Sequence, residues 1–289
     1  MAKNTTRYLL LTILIVAVFI LVLLLLKDRQ ASPTLSEEAL PLSRELPVDE
    51  EKPPNEQRSQ PARLLDYLPQ SDNQQIIRHT HFTLSYLEKH EQAEWVAYEL
   101  TGREVQGVEE RSDDFREDPK LTTGSASLAD YYRSGYDRGH LAPAGDMKFS
   151  EEAMSESFFM SNMSPQEPSF NRGIWRILEE EVRELAIQNG SLYVVTGPVF
   201  GKRNKRIGDN RVSIPRAYYK VLLDYTEPEI KAIAFLLPNK GSDKDVYDFA
   251  VAIDSVEAVT NIDFFPALPD LEEDMLESTI DVSRWIGGL

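Results

Sequence analysis

Gly135-Tyr136-Asp137-Arg138-Gly139-His140-Leu141-Ala142-Pro143-Ala144, and Asn171-Arg172-Gly173-Ile174-Trp175 beginning 31 residues after His140, are the stretches that decide the reading of this chain. In the first, a strand-like entry meets a glycine and then a proline, which predicts a rigid turn with an arginine and a histidine at its mouth. An imidazole accepts a proton near neutral pH, and a guanidinium braces negative charge that builds on phosphoryl oxygens. The second opens an amphipathic helix over residues 171–188, with Ile174, Ile177, Leu178, Val182 and Leu185 on its apolar face and Gly190 closing it. Steps of four place Asn171, Trp175 and Glu179 along one side, about 12 Å from end to end. An amide and a carboxylate are hard oxygen donors of the kind Mg²⁺ accepts. Read alone, the pair is better explained by Asn171 as a helix N-cap and Glu179 as a solvated surface charge paired with Arg183 four residues on.

Working outward, the chain from Leu64 onward is rich in strand signals. His81–Tyr86, Glu94–Leu100, Leu192–Thr196, Tyr218–Leu223 and Lys231–Leu237 combine apolar alternation with turn residues at their ends. Short helices are predicted near 151–158, 246–250 and 256–260. The fold class is therefore α+β, built on a largely antiparallel sheet. Of the four histidines, His79 and His81 would share one strand face as solvent-facing polar residues, a spacing that could also hold a metal. His90, in Glu88-Lys89-His90-Glu91, reads as a solvated turn residue.

Asp137-Arg138-Gly139-His140, Ser161-Asn162-Met163-Ser164-Pro165-Gln166, and Asn171-Arg172-Gly173-Ile174-Trp175 with Glu179 together resemble the DNA/RNA non-specific endonucleases of the ββα-metal superfamily. That group includes secreted bacterial sugar-nonspecific nucleases and mitochondrial endonuclease G. The resemblance runs from about Leu64 to Leu268, with further agreement at Tyr193–Pro198 and at Ile214-Pro215. It implies a ββα-metal core and metal-dependent hydrolysis of DNA and RNA phosphodiesters. Under it His140 is the general base, Asn171 the direct ligand of Mg²⁺ (with Mn²⁺ as a substitute), and Glu179 holds a metal-bound water. Arg138 stabilises the transition state, Asn162 positions the site, and Asp137 is structural support. A second arginine upstream belongs to the family's site; Arg111 is the first choice for it and Arg116 the alternative. Arg172 stands where relatives often carry glutamine.

The rest of the chain sets bounds on this reading. Its 289 residues include no cysteine, which excludes disulfides, thiolate zinc sites and a cysteine nucleophile. A formal net charge of −17 argues against a nucleic-acid partner at face value. Part of that excess lies at the flanks: residues 28–63 hold eight acidic and five basic residues, and residues 263–289 seven acidic and one basic. The field in a cleft steers a ligand, not the total charge. A basic cleft made by Arg133, Arg138, Arg172, Arg176 and Arg216 is the expectation that reconciles the two.

Residues 8–26 form an uncharged apolar run of 19 residues, about 28 Å as a helix and close to the ~30 Å of bilayer hydrocarbon. A cleavable signal peptide has a shorter core and a small-residue cleavage site, neither of which is found here. The expected organisation is thus a tail at 1–7, a single transmembrane anchor at 8–26 and a flexible linker at 27–63 rich in Pro, Glu, Ser and Gln. An endonuclease domain at 64–268 and an acidic C-terminal tail at 269–289, read as solvated, complete it. Lysine and arginine nearly balance across the span. The short N-terminal flank favours the large domain outside the cytoplasm, on the periplasmic side of a bacterial inner membrane. The expected partners are DNA, RNA and the membrane, and a homodimer is left open.

Overall fold

The computed structural model describes residues 67–73, 75–226 and 230–286. The anticipated tail, anchor and linker at 1–63 lie outside the described residues. Among the described ones, no helix is long and apolar enough to cross a membrane.

The described residues form eleven strands: β1 (Ile76–Arg78), β2 (Thr83–Leu87), β3 (Gln92–Thr101), β4 (Asp137–His140), β5 (Met163–Gln166), β6 (Ser191–Val199), β7 (Arg206–Ile207), β8 (Val212–Ser213), β9 (Ala217–Asp224), β10 (Lys231–Pro238) and β11 (Ala250–Val251). Seven of them make one sheet in the order β1-β2-β3-β6-β9-β10-β11, with every neighbouring pair antiparallel. The expected mixed fold on a large antiparallel sheet is what forms. β6 continues through Gly197-Pro198, where the sequence suggested an end.

The sheet is buried on both faces, so its strands carry near-continuous apolar runs while successive side chains still alternate. Val96, Tyr98, Val194, Leu222 and Phe235 form one core layer with Leu178, Val182 and Leu185 of the helix α2 (Arg176–Asn189), which follows the shorter α1 (Glu151–Glu156). Trp95, Ala97, Val195, Tyr219 and Val221 form the other, against Ile253 and Val256 of α3 (Ile253–Thr260) and Leu276 of α4 (Asp270–Ser278). A helix C-cap at Gly190, with φ of 88°, ends α2 and turns the chain into β6.

The solvated-tail reading of residues 269–289 is corrected here. Leu276 and Glu277 of α4 are buried, and a last short helix, α5 (Ser283–Ile286), inserts Trp285 into the first core layer. Lys231 Nζ lies 4.9 Å from that ring's centroid. The dense acidic residues hid an amphipathic pattern only three turns long.

Two histidine readings are also corrected. His79 and His81 lie in the turn between β1 and β2, not on a strand. His79 is buried, with Nε2 2.9 Å from an Asp118 oxygen that also accepts from Ser161 Oγ at 2.6 Å. His90 is buried as well: its ring stacks on Phe200 at 3.7 Å and Nδ1 lies 2.9 Å from Ser213 Oγ. Partners more than a hundred residues away create that environment, and local sequence does not show them.

A separate two-stranded ribbon pairs β4 with β5, setting Asp137 opposite Gln166, Arg138 opposite Pro165, Gly139 opposite Ser164 and His140 opposite Met163. Gly139 is required by close approach: a Cβ there would fall 2.1 Å from Gln166 Cδ, in a side chain that is fully buried. Gly139→Ala should therefore destabilise the domain by about 1–3 kcal/mol through overpacking. Equilibrium urea unfolding measures this, and an unchanged midpoint would show that Gln166 can move aside.

Burial, and then the neighbouring Lys89 and Arg206, lower the His90 pKa from 6.5 to about 4. The unfolded chain binds that proton at higher pH than the folded one. The contribution to stability is thus complete above about pH 6.5 and is lost as pH falls toward 4. His90→Gln should flatten the stability profile across that window in urea titrations at stepped pH.

Candidate active site

The ribbon and α2 meet through one carboxylate. Asp137 accepts from Arg172 Nε at 2.8 Å, from Arg172 at its second nitrogen at 2.6 Å, and from Asn171 Nδ2 at 3.0 Å. Burial works against its charge, but these hydrogen bonds and the Arg172 charge hold the carboxyl below its usual range. An ionised carboxylate only accepts, so the amide must turn its NH₂ toward Asp137. Asn171 Oδ1 then points elsewhere, and no donor among the described residues meets it.

The expected unbroken helix from Asn171 does not form. Pro168–Phe170 makes a single helical turn, residues Asn171–Trp175 a π-type turn with non-helical backbone at Gly173 (φ −107°, ψ −114°), and α2 starts at Arg176. An extra residue in the turn shifts everything before it out of the helical register. Asn171 consequently faces the ribbon, while Glu179 follows the register of α2.

Asn171 and Arg172 line a cleft of about 460 Å³ together with Arg111, Asp113, Phe115, Tyr131, Tyr132, Arg133, Tyr136, Asp137 and Arg138. Four arginines thus gather on a body of strongly acidic composition. Of the five arginines expected there, Arg133, Arg138 and Arg172 are present. Arg176 pairs instead with Glu180, and Arg216 does not line the cleft. Arg111 takes a place that Arg116 does not: Arg116 bonds Asp114 and Ser155 and covers the Phe159 ring. Arg111 lies 4.7 Å from the Phe158 ring centroid and pairs with Asp113 at 2.6 Å. Arg138 is exposed, 4.3 Å from the Phe115 centroid, and no carboxylate pairs with it among the described residues.

His140 sits behind these groups, 9% exposed, its ring centroid 4.9 Å from that of Phe158, nearly perpendicular to it, and 5.9 Å from that of Phe115. Burial first, and then the charges of Arg111 and Arg138, lower its pKa from 6.5 to about 3. It is therefore a neutral imidazole at physiological pH. Its buried Nε2 has no hydrogen-bond partner.

Asn162 is fully buried and both polar atoms of its side chain are engaged: Oδ1 accepts from Ala142 N, and Nδ2 donates to the carbonyls of Ala142 and Ser157. It fastens the turn that follows His140, and its complete burial keeps it from touching a ligand in the cleft. Glu179 belongs to a charged network beneath α2. Arg183 donates to Asp146 at 2.8 Å, Tyr98 donates to the other Asp146 oxygen at 2.7 Å, and the fully buried Lys220 donates to Thr196 Oγ1 at 2.6 Å. Burial raises the Glu179 carboxyl and lowers the Lys220 ammonium, and each charge partly offsets the other's shift. Lys220 and Asp146 were not singled out in the sequence, because a lysine inside an apolar strand and an aspartate in a loop carry no motif.

The sequence pattern of the DNA/RNA non-specific endonucleases matches residues 61–271. The chain is 37% identical over 207 residues to the mitochondrial nuclease EXOG of Danio rerio, covering 66% of this chain and 60% of that protein. It is 34% identical to the mitochondrial endonuclease G of Homo sapiens over 64% of this chain and 67% of the relative, and 33% identical to a nuclease of Nostoc sp. over 73% and 80%. It thus spans only about 60% of the length of the zebrafish EXOG nuclease. The solved structure of an EndoG/EndoGI complex, described as showing the mechanism of EndoG inhibition, superposes with a TM-score of 0.66 at 30% identity, covering 72% of this chain and 91% of the other. The chain belongs to the DNA/RNA non-specific endonuclease family.

Proposed function

We propose that the domain is a ββα-metal endonuclease that hydrolyses phosphodiester bonds of DNA and RNA with little sequence preference. The observation that supports this most directly is the placement of Asn171, Arg111 and Arg138 around one open cleft, with a neutral histidine immediately behind it. Contacts to phosphate carry no sequence information, which accounts for the breadth of substrates.

His140 takes a proton from water through Nδ1, since Nε2 is buried. The resulting hydroxide attacks phosphorus, a P–O bond forms, and the bond to the 3′ oxygen breaks; that oxygen leaves with the bonding pair and takes a proton from solvent water, giving a 3′ hydroxyl and a 5′ phosphate. Arg138 and Arg111 face the phosphoryl oxygens and stabilise the added charge. A phosphate paired with them also cancels their positive field at His140, restoring basicity when substrate is present. Arg133 and Arg172 extend the cationic track for the nucleic-acid backbone.

Asn171 fits a hard divalent cation, because Asp137 turns its amide oxygen away from the ribbon. It would hold Mg²⁺ or Mn²⁺, with Glu179 acting through a water. When bound, the ion supplies Lewis-acid stabilisation of the phosphoryl and leaving oxygens. Asn162 and Asp137 act only by position. Residues 8–26 would tether this domain on the outer side of a membrane, and residues 27–63 would give it reach.

The test is cleavage of plasmid DNA and of a structured RNA by the full chain, with Mg²⁺ or with EDTA. Both substrates should be cut only with metal. His140→Ala should lower turnover about 10²–10⁴-fold with the fold intact, and Asn171→Ala should remove metal dependence together with activity. Normal turnover in either variant would overturn the assignment.

The pH profile gives an independent check. The base is active when unprotonated, so a lowered pKa puts the acid limb of kcat/KM below 6.5. Arg138→Ala removes one of the charges that, after burial and Arg111, lower that pKa. Its acid limb should move to higher pH, whatever the loss in absolute rate.

A further inference from the structure

On the sheet face remote in sequence from the cleft motifs, α3 and α4 bring carboxylates together. One oxygen each from Asp254, Glu257 and Glu277 lie within 4.8 Å of one another. Oxygens bound to a single Ca²⁺ at ~2.4 Å are at most ~4.8 Å apart, so this spacing suits three ligands of one ion. Asp254 is exposed, Glu257 half-buried and Glu277 buried at 7% exposure. Glu277 Oε1 has no hydrogen-bond partner, an arrangement that costs free energy unless a cation or proton completes it.

Among the described residues, no basic side chain pairs with these carboxylates. Burial, followed by the charges of Glu257, Glu273, Asp263 and Asp254, raises the Glu277 carboxyl to about 8. Glu273 and Asp263 are raised as well, by burial first. Among the described residues, none of these five acids has a salt-bridge partner. One Glu257 oxygen is occupied by Phe264 N–H at 2.8 Å, which fixes the loop after α3 against the cluster. Glu257 and Asp263 also line an open pocket of about 410 Å³, which gives an ion a route in from solvent.

We propose that Asp254, Glu257 and Glu277 bind a structural divalent cation of the Ca²⁺ type, with Asp263 and Glu273 in its surroundings, clamping α4 to α3. The donor set selects the ion. It has no histidine or thiolate for zinc, and long glutamates from two helices suit the flexible coordination of Ca²⁺ better than the strict octahedron of Mg²⁺. The site is separate from the reaction proposed above and does not depend on it. Its role is to secure the C-terminal segment, which goes on to place Trp285 in the core.

The experiment is thermal unfolding and Ca²⁺ binding by the full chain after EDTA treatment, with Ca²⁺ as the probe, beside Asn171→Ala, Glu277→Gln and Asp254→Asn. At Ca²⁺ about a hundred times the dissociation constant, Tm should rise by about 5–10 °C. The rise should persist in Asn171→Ala, with one ion bound per chain. It should vanish in Glu277→Gln, whose metal-free Tm should equal or exceed that of the unaltered chain because the neutral amide needs neither a cation nor a proton to be buried among carboxylates. Asp254→Asn, altered at an exposed position, should weaken binding at least about tenfold, and it decides the matter if Glu277→Gln fails to fold. No rise, a rise unaffected by both acidic substitutions, or a rise lost in Asn171→Ala would overturn the proposal.

Discussion

The Asp137 carboxylate is the joint on which the site depends. It lies on β4, one strand of a small ribbon outside the main sheet, yet it holds both Asn171 and Arg172 at the head of α2. Those three hydrogen bonds set the face of the Asn171 amide and the direction of the Arg172 fork. They also require the turn at Asn171–Trp175 to leave α-helical register, since a straight helix would rotate Asn171 elsewhere. The ribbon in turn admits no side chain at Gly139, because Gln166 fills that space from β5. Position passes from strand pairing to carboxylate to amide, and each step is fixed by hydrogen-bond chemistry.

Charge in this molecule is sorted by location. A chain of net charge −17 nevertheless lines one cleft with four arginines, and two of them lower the basicity of His140 behind it. A buried imidazole beside two guanidinium groups stays neutral, so it can receive a proton instead of already carrying one. On the opposite core layer the sign reverses, and carboxylates crowd between α3 and α4 with no basic partner among the described residues. Beneath α2, Glu179, Lys220, Asp146 and Arg183 mix both signs inside the protein, where burial is tolerated because each charge faces an opposite one.

Sequence alone supplied the strands, the amphipathic face of α2 and its glycine cap, and it placed Arg138 and Asn171 in two motifs that the fold brings to one cleft. These are legible because they depend on local pattern: alternation shows strands, a 3.6-residue period shows a buried helix face, and adjacent motif residues stay adjacent in space. The family resemblance put Arg111 before Arg116 as a second arginine; Arg111 lines the cleft and Arg116 does not. Short-range rules failed where long-range partners decide. His90 is buried by Phe200 and Ser213, His79 by Asp118 and Phe159, and the acidic C-terminal segment by a core that only the folded sheet creates.

What the sequence by itself determined, then, is the kind of chemistry and the elements that carry it, because residue types and periodicity are properties of the chain. Only the tertiary structure decided which atoms face the cleft. Asn171 turns its oxygen outward because Asp137 takes its nitrogen, and His140 is kept neutral first by burial among aromatic rings brought from other segments and then by two arginines. Orientation and proton affinity depend on neighbours within a few ångströms. Those neighbours are fixed by folding, not by order along the chain.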